Sequence, residues 1–308
     1  MRSLIGSVAW TVTLLSSAMA RADNWTSAAP LSEAREGLGA VGFPDGRVVA
    51  FGGHRGSTFF TLAEIYDPAT NVWCPIASMP IPRAGQASGL SADGRVFVAG
   101  GWDGVTNYDS FVVYDAGIDA WSLGPAMPTA RRATAGAVGL DGLFYVIGGF
   151  DGISDLSTVE AYDPSNDVWL TRAPMPTARR GLAATLSSDG RIYAAGGAAM
   201  GVGPLNSVEA YDTAMDTWST ITPMPTARQG VFAGALARAH VIGGQTGGVT
   251  FLDVIESYDS MTGLWTTESP MPTPRAGAGV ARTPNGKLYV CGGNNEVGFQ
   301  SVVEVYDP

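Results

Sequence analysis

A Gly-Gly pair recurs along this chain at a near-constant interval, and that interval limits the possible folds more than any other feature. The pairs begin at Gly52, Gly100, Gly148, Gly196, Gly243 and Gly292, with gaps of 48, 48, 48, 47 and 49 residues. Other marks keep the same phase. Tyr-Asp pairs begin at Tyr66, Tyr114, Tyr162, Tyr211, Tyr258 and Tyr306. Seven residues after each of the first five comes a tryptophan: Trp73, Trp121, Trp169, Trp218 and Trp265. Ten residues after each tryptophan comes an arginine: Arg83, Arg131, Arg179, Arg228 and Arg275. Self-similarity at this period marks a repeat architecture, in which each copy is one supersecondary unit.

Within a copy, short runs read as strands and are separated by turn residues. A small-residue strand a, such as Gly136-Ala137-Val138, leads to Asp-Gly or Asn-Gly: Asp45-Gly46, Asp93-Gly94, Asp141-Gly142, Asp189-Gly190 and Asn285-Gly286. That chemistry predicts a type I′ hairpin. Strand b, such as Leu143 to Ile147, enters the Gly-Gly pair. Strand c ends in Tyr-Asp, and strand d carries the tryptophan. Four-stranded units repeated radially make a propeller. The high glycine content (41 residues) and 19 prolines suit many tight turns. The glycine pair is read as a place where a side chain would keep blades apart. In copy five, Arg228 lies 15 residues before Gly243 rather than 17, and Ala237-Arg238-Ala239-His240 replaces the Asp-Gly turn. A shortened a–b hairpin is expected there.

Tyr306 has no tryptophan after it, because the sequence ends at Pro308. Trp25, with Arg35 ten residues on, supplies the missing piece. Residues 1–20 read as a signal peptide: Arg2, an apolar run from Leu4 to Leu15, and Ala18-Met19-Ala20 as the cleavage site, with Ala20-Arg21-Ala22 as an alternative. Cleavage after Ala20 leaves residues 21–308, whose length is six times 48, and places Trp25 seven residues after Tyr306 in a circular reading. The expectation is an exported protein, secreted or periplasmic. It is a single all-β domain, a six-bladed propeller with four antiparallel strands per blade, and its N-terminal strand d at Trp25 joins the C-terminal blade.

These marks resemble kelch repeats over the whole of residues 21–308. Gly101-Trp102-Asp103-Gly104 and Gly149-Phe150-Asp151-Gly152 are similar to the Gly-aromatic-Asp-Gly segment of kelch blades. The resemblance implies a binding or interaction protein. It also implies that arginines at the start of strand a contact the ligand, as in kelch proteins that bind acidic peptides.

Charge narrows the partners. The formal net charge is −10, and the only lysine is Lys287. Phosphate backbones are bound by clustered Lys and Arg, so a nucleic-acid partner is not expected. No later segment is apolar over the length of a membrane span. Strand a is innermost in a propeller blade, so Arg35, Arg83, Arg131, Arg179, Arg228 and Arg275 are expected to ring the mouth of the central channel on the face of the b–c loops. Such a ring would focus an anion, and Arg suits carboxylates. Strand-c glutamates at Glu64, Glu160, Glu209, Glu256 and Glu304 offer a structural alternative, in which each pairs with an arginine. Copy two has Val112 there, which would leave Arg83 the most available member.

The b–c loops differ between copies and add His54 and Trp102 to the candidate ligand-binding set. His54 and His240 fall at opposite edges and cannot share a metal. Motifs for a catalytic serine elbow, a zinc protease or a phosphate loop are absent. No metal or cofactor is expected. Cys291 falls in strand b and Cys74 in strand d, which predicts two free thiols. The favoured function is a non-catalytic, monomeric binding propeller for an acidic peptide, acidic glycan or protein partner. The alternative resembles the sialic-acid mutarotases among exported kelch propellers: proton transfer on a sugar acid held by the arginines, with a strand-c glutamate or His54 as acid–base.

Overall fold

The computed structural model describes residues 24–247 and 250–308; the expected signal peptide lies outside them. Every regular element among the described residues is a strand, because each copy alternates runs of apolar residues with turns. Six antiparallel sheets of four strands each form the blades of a propeller ring, and in blade one the short strand Thr58–Phe59 pairs in addition with the end of strand b. In blade three, strand a (Ala135–Val138) pairs with b (Phe144–Ile147), b with c (Val159–Asp163), and c with d (Val168–Arg172). In blade six, strands Gly279–Arg282, Leu288–Cys291 and Val303–Asp307 are joined by Asn24–Ala28, which runs antiparallel to Val303–Asp307 with Trp25 opposite Tyr306.

Burial follows position in the blade. Strands b, packed between neighbouring blades on both faces, are fully buried in blades two to six. This is why they read as unbroken apolar runs rather than alternating ones. Strands d are the most exposed. The core therefore lies in layers between blades, as in the cluster of Ala135, Tyr145, Ile147 and Val159 from blade three with Ile192 and Tyr211 from blade four.

The repeated Tyr and Trp stitch adjacent blades together. Each indole Nε1 donates to a main-chain carbonyl just after strand d of the preceding blade. Trp73 bonds Ala29, Trp121 bonds Ala77, Trp169 bonds Pro125, Trp218 bonds Ala173, Trp265 bonds Thr222 and Trp25 bonds Ser269, all within 2.7–3.1 Å. The Tyr hydroxyls of blades one to four donate to Oδ1 of Asn71, Asp119, Asp167 and Asp216, five residues on. Those four residues adopt positive φ in the c–d turn, which short Asx side chains tolerate, and Gly263 takes the same place in blade five.

The a–b turns depart from the type I′ expectation. Gly46 N–H bonds Phe43 O, and Gly46 has φ +92°, but Asp45 is not in the left-handed region. The same arrangement recurs at Gly94, Gly142, Gly190 and Gly286. This is a type I turn followed by a left-handed glycine that forms a bulge. The two residues before the glycine form the turn, whereas a type I′ turn would have used the Asp-Gly dipeptide itself. Blade five has the shortened hairpin, with Ala235 opposite Ala239 and Leu236 N–H bonded to Arg238 O. Cys74 is exposed and Cys291 buried, both as free thiols, and burial pushes the Cys291 thiol up to about 12.

Candidate functional site

The six repeated arginines are all completely buried. They do not stand as cations around the channel mouth but turn into their own blades. Five meet the strand-c glutamate of the same blade. Arg35 bonds Glu64 at 2.8 Å, Arg228 bonds Glu256 at 2.9 Å and Arg275 bonds Glu304 at 2.5 Å, and Arg131–Glu160 and Arg179–Glu209 are equivalent. In blades three to six a threonine just before the arginine holds the other carboxylate oxygen. Thr129, Thr177, Thr226 and Thr273, each two residues before the arginine, donate to Glu160, Glu209, Glu256 and Glu304.

Blade two replaces both polar partners with apolar ones, Ile81 and Val112. Arg83 is nevertheless buried like the rest. It donates to the carbonyls of Gly100 and Ser110 and to Ser110 Oγ, and it lies 5.3 Å from the Tyr108 ring. Burial lowers its pKa to about 10, partly opposed by Tyr108. The expected availability of Arg83 is therefore not found, because main-chain carbonyls occupy it.

The same arginines bind neighbouring blades through their backbone. Arg131 O accepts from Gly101 N–H of the preceding blade at 2.8 Å, and a Cβ on Gly100 would lie 2.7 Å from that oxygen. The contact repeats at every blade junction, from Gly53 against Arg83 round to Gly293 against Arg35. The first glycine of the pair thus lets the arginine carbonyl approach, and a Cβ on the second would meet the carbonyl of the residue after its own blade's arginine, as at Gly149 against Arg132 O at 2.8 Å.

Two residues beyond each arginine, the chain forms a collar across the channel. Gly85 N–H donates to Gly37 O, Gly37 to Gly277, Gly277 to Gly230, Gly230 to Gly181, and Gly181 to Ala133, at 2.8–3.0 Å. All have positive φ, Ala133 included at +50°. At Ala133 the pattern slips by one residue, and Thr134 N–H reaches Gly85 O at a long 3.4 Å. Below the collar, the strands a enclose a cavity of about 270 Å³ lined by small residues. Above it, on the face of the b–c loops, lies a mouth pocket of about 340 Å³.

The mouth is not six-fold. Leu182, Val231 and Ala278 make one side apolar; Glu36, His54, Gln86, Trp102 and Arg132 make the other polar and aromatic. His54 Nε2 lies 3.3 Å from Glu36, and burial raises the Glu36 pKa while His54 opposes that rise. His54 stacks on Phe59, Phe59 meets Trp102 edge to face, and the Arg132 guanidinium lies 4.3 Å from the Trp102 ring centre. Arg132 and Arg180 then flank Phe150 at 5.2 and 5.0 Å. Arg180 is ion-paired with Asp155, whereas Arg132 has Asn107 as a hydrogen-bond partner and, among the described residues, no carboxylate in ion-pair reach. Burial and the nearby Arg180 both hold the Arg132 pKa below its ordinary value. An anion arriving here would meet, in Arg132, a cation already partly stripped of water.

Of the residues read from the sequence, His54 and Trp102 lie in the mouth, and the six arginines lie behind it. Arg132 and Arg180, which follow two of those arginines, carry the cationic character instead. Glu36 and Gln86 had no distinguishing signal beyond breaking the repeat: the residue three after each arginine is Leu38, Gln86, Thr134, Leu182, Val231 and Ala278. The strand-c glutamates proposed as acid–base groups are buried in ion pairs and do not face the mouth. Removing one partner from such a pair leaves an uncompensated buried charge. Glu160→Ala is therefore expected to cost about 3–5 kcal/mol in urea unfolding. Glu33→Ala, which breaks only the exposed pair with Arg55, is expected to cost less than about 1 kcal/mol. Equal effects would remove the structural role assigned to the buried pairs.

Comparison with known proteins agrees with this architecture. Residues 21–197 match the family described as the KLHDC2/KLHL20/DRC7 kelch-repeats domain, and residues 179–225, 241–272 and 274–308 match the kelch motif. A stretch of 58 residues, 19% of the chain, is 40% identical to a kelch repeat and BTB domain-containing protein of Caenorhabditis elegans and covers 10% of it. Another of 68 residues, 22% of the chain, is 34% identical to human Kelch-like protein 33 and covers 13% of it. The aligned stretches thus span only about a tenth of those relatives. With six blades in phase and the family match running over more than half its length, the chain belongs to the kelch-repeat family of β-propellers.

Proposed function

We propose that this kelch propeller is an exported recognition protein that binds an acidic segment of a protein partner on the face of its b–c loops. Kelch propellers are generally protein-interaction scaffolds. The observation that carries the finer reading is Arg132, which lies against Trp102 at the mouth without a carboxylate partner among the described residues and beside a second cation. Aliphatic side chains at the loop tips around it, Val105 and Ile153 among them, are 90% and 82% exposed. A carboxylate seated at Arg132 with apolar neighbours on these tips matches the surface in both charge and hydropathy.

The binding test is panning of residues 21–308 against a displayed random-peptide library. Enriched peptides are expected to share an acidic residue, and Arg132→Ala to weaken them roughly ten- to hundredfold. Enrichment of peptides without acidic residues, or indifference to Arg132→Ala, would contradict the reading.

Export rests on the leader pattern and on the phase that Trp25 keeps with Tyr306. Protein recovered outside the cytoplasm is expected to begin at Arg21 on N-terminal sequencing. Retention of Met1 in that fraction would refute cleavage.

A further inference from the structure

In four blades the residue three positions after the repeated arginine fills a slot against the preceding blade, over the first glycine of its Gly-Gly pair. Leu38, Leu182 and Val231 do this against Gly292, Gly148 and Gly196. Thr134 is polar but satisfied, since its hydroxyl donates to Ile147 O at 2.9 Å. Gln86 is the departure. Its carboxamide lies in the slot over Gly52, where Leu38, Leu182 and Val231 place methyl groups in their own blades, and the residue is 8% exposed. Both Oε1 and Nε2 are shielded from solvent and have no hydrogen-bond partner. A buried amide with neither atom bonded is an unfavourable placement, and a leucine there would be the simpler choice for the fold.

What surface Gln86 retains lies in the mouth pocket, in the company of Glu36, Trp102 and Arg132. Leaving the slot breaks no hydrogen bond, and the adjoining Gly101 carries no side chain to obstruct rotation. In an extended peptide, the N–H and C=O of one residue point to the same side. A glutamine carboxamide offers a donor and an acceptor side by side and can bond both.

We infer that Gln86 is a ligand-recognition residue whose carboxamide turns out of the slot between blades one and two and pairs with the main chain of an extended peptide crossing the channel mouth. This rests on the peptide-recognition reading above and adds to it a main-chain contact separate from the carboxylate at Arg132. It also gives the unfavourable placement of Gln86 a purpose, because the bonds missing in the free protein are made in the complex.

The test uses the peptide enriched by panning and variants of it N-methylated at one backbone nitrogen at a time, each measured against the wild-type protein and Gln86→Leu. Leucine occupies this slot in blades one and four, so the variant is expected to fold and to melt above the wild type. One N-methyl position is expected to cost on the order of tenfold in affinity for the wild type and nothing for Gln86→Leu, which binds the unmodified peptide about tenfold more weakly. Unchanged affinity of Gln86→Leu, equal N-methyl costs in both proteins, or a lower melting temperature for Gln86→Leu would each overturn the inference. Failure to enrich any acidic peptide, or loss of the Arg132 effect, would instead strike the recognition reading on which it depends.

Discussion

The buried arginine at the start of each blade is the contact on which the rest of the propeller depends. Its carbonyl accepts from the preceding blade's Gly-Gly pair, while its side chain crosses its own blade to reach the strand-c glutamate. In four blades its Nη1 also reaches the carbonyl of the first glycine in that blade. One residue thus fixes the distance between two blades and the position of strand c within one. A guanidinium is suited to this because it offers several donors in a fixed plane and stays charged when buried. The desolvation penalty is large, and acceptors at the terminal guanidinium nitrogens offset it, although Nε has no partner in five of the six. In blade two they are carbonyls and a serine hydroxyl rather than a carboxylate, and the neighbouring threonine is accordingly an isoleucine.

This division between common and copy-specific residues decides where function can lie. Residues present in all six copies are consumed by the fold: the arginines, the glycine pairs, and the Tyr and Trp that join blade to blade. Asymmetry appears one and three residues after the arginine and in the b–c loops. There Glu36 and His54, Gln86, Trp102 and Arg132, and Phe150 and Arg180 make an arc over blades one to four, while the opposite side of the mouth remains apolar. The collar of peptide groups beneath supplies a rigid floor, and its single irregularity, Ala133, sits beside Arg132 on the same arc.

Most of the architecture was legible because a repeat read six times in phase leaves little freedom. The number of blades, the strand order, the short hairpin of blade five and the placement of Cys74 and Cys291 all follow from register and spacing. The turn type did not, since Asp-Gly is equally at home in a type I turn with a glycine bulge, and the choice is made by the two residues before the glycine. The orientation of the arginines was legible only as an alternative. Sequence places them at the channel end of strand a, but only geometry shows that the strand-c carboxylate, two strands away, draws the side chain inward. Gln86 was invisible for a different reason: its significance lies in two missing hydrogen bonds, which no residue pattern records.

Six arginines are consumed by the fold, whereas Arg132 at the mouth has no carboxylate partner among the described residues, and that separation is directly measurable. Nitrogen-15 NMR of the arginine Nε–H groups, with and without an acidic peptide, reports both burial and contact. Arg35, Arg83, Arg131, Arg179, Arg228 and Arg275 are expected to exchange slowly with solvent and to keep their shifts, while Arg132 exchanges quickly and moves on addition of peptide. Fast exchange and peptide-induced shifts among the six repeated arginines would contradict the account and return them to the binding surface.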